Sequence, residues 1–153
     1  MKLSTKSTYG LRAMVNIAME KDKCAISIRE ISKREGISSV YLEQLLNKLR
    51  RENLVKSVRG PSGGYMLSRA ACRITVADIV KTLEGSIVPV DCASGREGYK
   101  SVCHNKNTCV AKTVWAKLAK AIEDCLKSVT LADLCDKKEI ASPAPSLLGV
   151  GSQ

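Results

Sequence analysis

The chain has 153 residues, enough for one domain or one small domain with an extension, and its 44% apolar and 26% charged residues exclude wholesale disorder. Lysine and arginine outnumber aspartate and glutamate by 25 to 15, and the excess is uneven: 14 basic and 6 acidic residues fall through Arg69, against 11 and 9 beyond it. A basic first half points to a polyanion, and a chain with four Tyr, one Trp and no Phe is poorly equipped to stack single-stranded bases on an aromatic platform.

The first predicted helix runs from about Lys6 to Lys21, where Leu11, Met14, Val15 and Ala18 recur at i, i+3, i+4 and i+7 to make one buried stripe. Ser27 caps a short helix, Ile28 to Glu35, and Gly36 supplies a left-handed stop. Ser38 or Ser39 opens the next helix, in which Leu42, Leu45, Leu46 and Leu49 repeat the stripe. Two short helices joined by a tight glycine-containing turn make a helix-turn-helix, although any small α domain can pack two such helices. Asn53 to Val58 reads as a strand, Arg59 to Gly64 as a tight turn and Tyr65 to Ser68 as the returning strand. A β-hairpin in that position is a wing, and its turn offers the Arg59 guanidinium beside Gly60 to a phosphate or a minor groove.

Opposite its leucines the second helix of the pair carries Val40, Glu43, Gln44, Asn47, Lys48 and Arg51, with Ser38 and Ser39 at its start. The N-terminal end of such a helix is the part that enters a major groove. Gln44 suits adenine, Glu43 accepts from cytosine N4, and serines touch base or phosphate. A carboxylate near phosphates costs affinity, so Glu43 argues for selection between sequences over general adhesion. Lys2, Lys6, Arg12, Arg50 and Lys56 are candidates for sequence-independent backbone contacts.

Thr75 and Asp78 form a capping box that starts a helix of about nine residues ending at Gly85. A connector of more than twenty residues follows to Thr108, a length that in compact domains usually serves a function. From Val110 to Ser128 a long helix has Ala111, Val114, Leu118, Ala121 and Cys125 at coiled-coil spacing, widened by Trp115, Ile122 and Val129. Such a broad apolar side needs a partner, and a two-fold dimer suits a helix-turn-helix that reads paired half-sites. Thr130 and Asp133 box a last short helix, and the uncharged run after Glu139 reads as a flexible tail.

No stretch approaches the roughly 18–20 apolar residues that span a bilayer. The opening MKLSTKSTYGLRAM lacks the apolar run of a signal peptide, so a cytoplasmic location is expected. In a reducing compartment seven cysteines favour metal binding or thiol chemistry over a disulfide framework. Cys24, Cys72, Cys125 and Cys135 are scattered and read as small apolar residues. Cys92, Cys103 and Cys109 instead cluster as C-x10-C-x5-C in a polar connector with Gly95, Gly98, Asn105 and Asn107. Thiolates select zinc, Cu(I) or iron–sulfur clusters. The close cysteine pairs of structural zinc sites are missing, an iron–sulfur centre needs a fourth donor (His104, Asp91, Glu97 or a partner-subunit residue), and a thiol redox switch fits the spacing equally. With one His, no C-x-x-C, no G-x-S-x-G elbow and no glycine-rich phosphate loop, an enzyme is not expected and no residue is a catalytic candidate.

The run ISKREGISSVYLEQLLNKLRRENLVKSVRGPSGGY, the opening STKSTYGLRAM and the C-x5-C before AKTVWAKL closely resemble the IscR-like members of the Rrf-type family of dimeric winged helix-turn-helix regulators, over about residues 1 to 135. The resemblance implies a mainly α fold with a small β-hairpin wing and a long dimerisation helix. It divides the chain into a DNA-binding domain (1–84), a cysteine cluster-binding loop (85–109), the dimerisation helix with a short C-terminal helix (110–135) and a tail (136–153). It further implies a homodimer on a palindrome-like duplex operator, a 2Fe–2S cluster held by Cys92, Cys103 and Cys109, and control of cluster-assembly genes. Glu43 and Gln44 would read bases and Arg59 would enter the minor groove. Two departures stand out: IscR-like loops commonly space all three cysteines by five and place a ligand His three positions after the last, where this chain has a gap of ten and Lys112. Relatives with similar trios sense nitric oxide or iron, and others without a cluster govern cysteine metabolism.

Overall fold

The computed structural model describes residues 3–20, 24–90 and 109–136. Six helices and one hairpin follow in order: α1 (Thr5–Met19), α2 (Ile28–Glu35), α3 (Ser39–Arg51), β1 (Val55–Val58), β2 (Gly64–Leu67), α4 (Val76–Glu84), α5 (Ala111–Lys127) and α6 (Leu131–Cys135), with a 3₁₀ turn at Ala71–Arg73 before α4. The architecture is the mainly helical one expected, with a two-stranded antiparallel hairpin that pairs Val55 with Leu67 and Val58 with Gly64.

Local signals decide most element ends. Ser27 Oγ accepts from the Glu30 N–H, and Gly36 stops α2 at φ +64°. Thr75–Asp78 and Thr130–Asp133 both form complete capping boxes, and α4 has the nine residues anticipated. Asn53 departs from its expected place in a strand. It lies at φ +54°, its N–H bonded to the Arg50 carbonyl and that of Leu54 to Leu49, and so closes α3 with a left-handed cap before the sheet begins at Val55.

One core unites α1 to α4 and the hairpin. Met14, Ile31, Leu42, Leu45, Leu46, Leu49, Leu54, Ile74 and Ile79 are almost wholly buried together. Gly10 lets α1 approach α4 so closely that a Cβ there would strike the Leu83 side chain. At the start of α1 the Ser4 and Ser7 hydroxyls both donate to Glu84 Oε1 at 2.6 Å. Burial alone would raise the Glu84 carboxyl, but these donors and the Ser4 N–H hold it below the usual range.

The chain after α5 returns to this core. Val76 N–H donates to Val129 O at 2.9 Å, Leu131 N–H to Ile74 O at 2.8 Å, and Leu131 is fully enclosed. Leu126 and Val129 cover a second apolar group, Val76, Val80 and Ile87. Lys81 and Lys127 both pair with Glu123, at 2.6 and 2.7 Å; the Lys81 pair ties α4 to α5, and the Lys127 pair is an i,i+4 contact within α5. The two ammonium groups, Lys127 foremost, lower the Glu123 carboxyl to about 2.

Among the described residues nothing encloses the rest of α5. None of its residues is buried, and Val114 and Leu118 are 59% and 41% exposed, with Ala111, Ala121, Cys125 and much of Trp115 also open. Cys24, Cys72 and Cys125 are exposed, which corrects their reading as buried apolar fillers. Cys24 lies in the connection from α1 to α2, Cys72 in the 3₁₀ turn before α4, and the seam that carries Cys125 faces outward. Cys135 alone of that group is partly enclosed, and burial pushes its thiol up.

Candidate nucleic-acid interface

The turn between α2 and α3 is fixed from both sides. The Ile37 N–H donates to the Ser32 carbonyl at 3.2 Å, while Ser32 Oγ donates back to the Ile37 carbonyl at 2.5 Å. With four leucines of α3 in the core, its opposite side must face outward. Ser38, Ser39, Val40, Glu43 and Gln44 are accordingly all exposed, Val40 by 67%, and Ser38 begins the helix without a side-chain capping bond. The helix presents three strips. Val40, Gln44, Asn47 and Arg51 form the central one, Glu43 and Arg50 lie on one flank, and Tyr41 and Lys48 lie on the other.

The wing adjoins the Glu43–Arg50 flank, where Arg50 Nη1 donates to Ser57 Oγ at 3.5 Å. Its base is held by the isolated bridge between Ile26 and Tyr65, whose N–H groups exchange bonds of 2.9 and 2.8 Å with the opposing carbonyls. At its tip Arg59 and Gly60 are exposed, and Gly60 has φ +114°. A Gly63 N–H bond of 2.9 Å to the Gly60 carbonyl closes the turn. The hairpin thus stands beside one flank of α3 through Ser57 and carries an exposed guanidinium at its closed turn.

The other flank has a neighbour that the sequence reading missed. The Tyr41 hydroxyl lies 3.3 Å from Thr5 Oγ1, and its ring meets that of Tyr9 edge-on at 6.2 Å. Tyr41 and Lys48 are seven residues apart, which marks a common flank, but nothing in the spacing tells that α1 runs beside it.

A family model, Rrf2, described as an iron-dependent transcriptional regulator, matches residues 3–137. The chain belongs to the Rrf2 family. The HTH-type transcriptional regulator IscR of Pectobacterium carotovorum is 38% identical over 144 residues, 94% of this chain and 85% of that protein. Among solved structures, T. potens IscR is similar with a TM-score of 0.71 and 40% identity, covering 94% of this chain and 93% of its own. CymR, the global cysteine regulator of B. subtilis, is similar with a TM-score of 0.72 and 35% identity, covering 91% and 99%. This Rrf2 protein is therefore an IscR-like transcriptional regulator that binds DNA, not an enzyme. No helix among its described residues is long and apolar enough to cross a membrane.

Of the three clustered cysteines only Cys109 is among the described residues, half-buried two positions before α5. Cys92, Cys103, His104, Asp91 and Glu97 lie outside them, as does the tail. Among the described residues no three of His, Cys, Asp and Glu gather closely enough to hold a metal ion. The donors that the sequence supplies, three thiols in one short connector, match in softness what iron and sulfide require.

Proposed function

We propose that this regulator senses iron–sulfur cluster status through a 2Fe–2S cluster and controls cluster-assembly genes, as a cytoplasmic homodimer on a palindrome-like operator. In this reading residues 1–84 form the reading head, 85–109 the cluster loop, 110–135 the dimer element and 136–153 a tail. Cys92, Cys103 and Cys109 hold the cluster, with a fourth donor from His104, a nearby carboxylate or the partner subunit. When bound, the cluster would supply a redox- and supply-sensitive link between the connector and the start of α5.

The observation that carries the reading is the place of Cys109, immediately ahead of the helix whose apolar face is bare. A bond at that sulfur acts on the start of α5. Pairing of the exposed Val114, Trp115 and Leu118 with a second copy covers that face and sets two α3 helices side by side. Ser38, Ser39, Val40, Glu43 and Gln44 then face base edges in the major groove, and Arg59 with Gly60 faces the minor groove. A coupling of about 1–3 kcal/mol between loop and reading head changes operator affinity about 5–150-fold.

The test is an absorption spectrum with iron and sulfide assays on protein isolated without oxygen, repeated on Cys92→Ala. A red-brown wild type bleached by the substitution is expected, and a colourless wild type under full iron supply overturns the proposal. Similarity to CymR, together with the ten-residue gap and Lys112, favours a second reading in which the same thiols act without a cluster as a redox or partner-controlled repressor of cysteine metabolism. A Cys103–Cys109 disulfide in air-exposed protein, found by mass spectrometry, supports that reading. A lasting iron-plus-sulfide stoichiometry excludes it, and nitric oxide or iron titration of the coloured protein then distinguishes the signals known in such relatives.

A further inference from the structure

The flank of α3 away from the wing is built, not merely solvated. Glu84 holds the start of α1 through Ser4 and Ser7, which fixes where Thr5 and Lys6 stand. Thr5 Oγ1 meets the Tyr41 hydroxyl at 3.3 Å, and Tyr9 backs the Tyr41 ring. Further along the same flank Lys6 and Lys48 line one open cleft of about 380 Å³, with Arg51 of the central strip beside them. Two acids share the cleft. Glu84 is engaged with the two serines, and Glu52 sits at the C-cap of α3, so the three cations outnumber them.

We propose that Tyr41 and Thr5, with Lys6 and Lys48, form a second phosphate-gripping edge, which seats one backbone of the duplex against the side of α3 opposite the wing. The inference rests on the reading that α3 enters the major groove. A helix about 10–12 Å across in a groove about 12 Å wide has a phosphodiester row along each flank. The wing side already carries Arg50 and Ser57 for one row. The Thr5–Tyr41 edge supplies the other with two hydroxyls whose protons turn toward a phosphate oxygen, and with two ammonium groups. Both edges together fix the depth and roll of α3, while the central strip is left to read bases.

The test uses the full chain, a duplex that the wild type selects from a random pool, and a shuffled duplex of the same composition. Tyr41→Phe keeps the ring on Tyr9 and is expected to weaken both duplexes equally, about three- to tenfold, with unchanged selectivity and thermal midpoint. Lys48→Gln is expected to lower the slope of log affinity against log salt by about one. Gln44→Ala, run alongside, loses selectivity instead. If Tyr41→Phe binds both duplexes as the wild type does while Gln44→Ala loses selectivity, the edge is refuted and the groove reading stands. If Tyr41→Phe loses selectivity alone, Tyr41 reads a base and the edge is again refuted. If Gln44→Ala changes nothing, the groove reading falls and takes the proposal with it. Thr5→Ala, at an exposed helix start, repeats the comparison should Tyr41→Phe lower the thermal midpoint.

Discussion

Replacing Gly64 by alanine tests how the wing is aimed. A Cβ at Gly64 would run into the Ile26 carbonyl and lie 2.8 Å from the Ser27 nitrogen, all of it backbone that cannot rotate away. The strand must therefore move off Ile26, which breaks the two bonds of 2.9 and 2.8 Å between Ile26 and Tyr65. Each such bond is worth about 1 kcal/mol net, and leaving a buried partner unsatisfied costs about 1–3 kcal/mol. Ile26 and Tyr65 are only 3% and 8% exposed, so the loss falls at about 2–4 kcal/mol. In urea, at fixed protomer concentration, that shifts the midpoint by roughly 1–2 M with the slope preserved. Gly60→Ala is the control: nothing lies within 4 Å of its added Cβ, and its cost is backbone strain at φ +114°. Hydrogen exchange separates the two. Gly64→Ala is expected to expose the Ile26 and Tyr65 amides, whereas Gly60→Ala leaves them protected. An unshifted midpoint with both amides still protected in Gly64→Ala refutes the reasoning.

Gly10→Ala, which drives a methyl into Leu83, is expected to cost about 1–3 kcal/mol in the same urea assay, and Leu83→Ala in the same chain should recover part of it. Glu84→Gln should weaken the protein by roughly 1–2 kcal/mol at pH 7. Because the Glu84 carboxyl is lowered on folding, its contribution is present above the ordinary 4.5 and is lost as pH falls through the lower folded value, so the difference from wild type should shrink between pH 5 and strong acid. Glu123 should titrate near 2 by NMR and rise toward its ordinary value when Lys81 and Lys127 are both replaced by Met. Leu118→Lys on the bare face of α5 should yield monomers in sedimentation and weaken operator binding steeply; a dimer of wild-type strength would assign that face another partner.

What could be read from the residues alone was whatever neighbours in the chain decide. Ser27, Gly36, the two capping boxes and the leucine stripe of α3 act within a few residues, and each sits where its spacing puts it. Exposure of Ser38, Ser39, Val40, Glu43 and Gln44 follows from that stripe by geometry. Asn53 escaped because the strand that begins at Val55 can be extended back on paper, and only its N–H bond to Arg50 and that of Leu54 to Leu49 show that the helix end claims it. The Ile26 bridge to Tyr65, the Ser4 and Ser7 bonds to Glu84 and the Thr5–Tyr41 contact join residues 36 to 80 positions apart. No periodicity encodes such pairs. Cys125 misled for a related reason: coiled-coil spacing marks a surface that wants covering but does not say whether its own chain covers it.

The two ends of α5 differ in a way that bears on how a signal at the connector reaches the duplex. Its C-terminal end is fastened to the reading head three times over, by the Lys81–Glu123 pair, by Leu126 and Val129 over Val76 and Val80, and by the backbone bonds around Thr130. Its N-terminal end, from Val110 at 84% exposure to Leu118, is enclosed by nothing among the described residues. A rod clamped at one end transmits a push at the other as rotation of whatever it is clamped to. In the proposed dimer, a change at Cys109 alters how the free ends of two such rods meet, and each reading head turns with its rod because Leu131 and Glu123 leave it little independent freedom. Loosening the clamp at its ion pair should therefore affect sensing more than binding. Glu123→Gln with Lys81→Met, which leaves the strip of α3 intact, is expected to retain DNA affinity while reducing the affinity difference between oxidised or stripped protein and the native state; an unchanged difference would show that the signal takes another route.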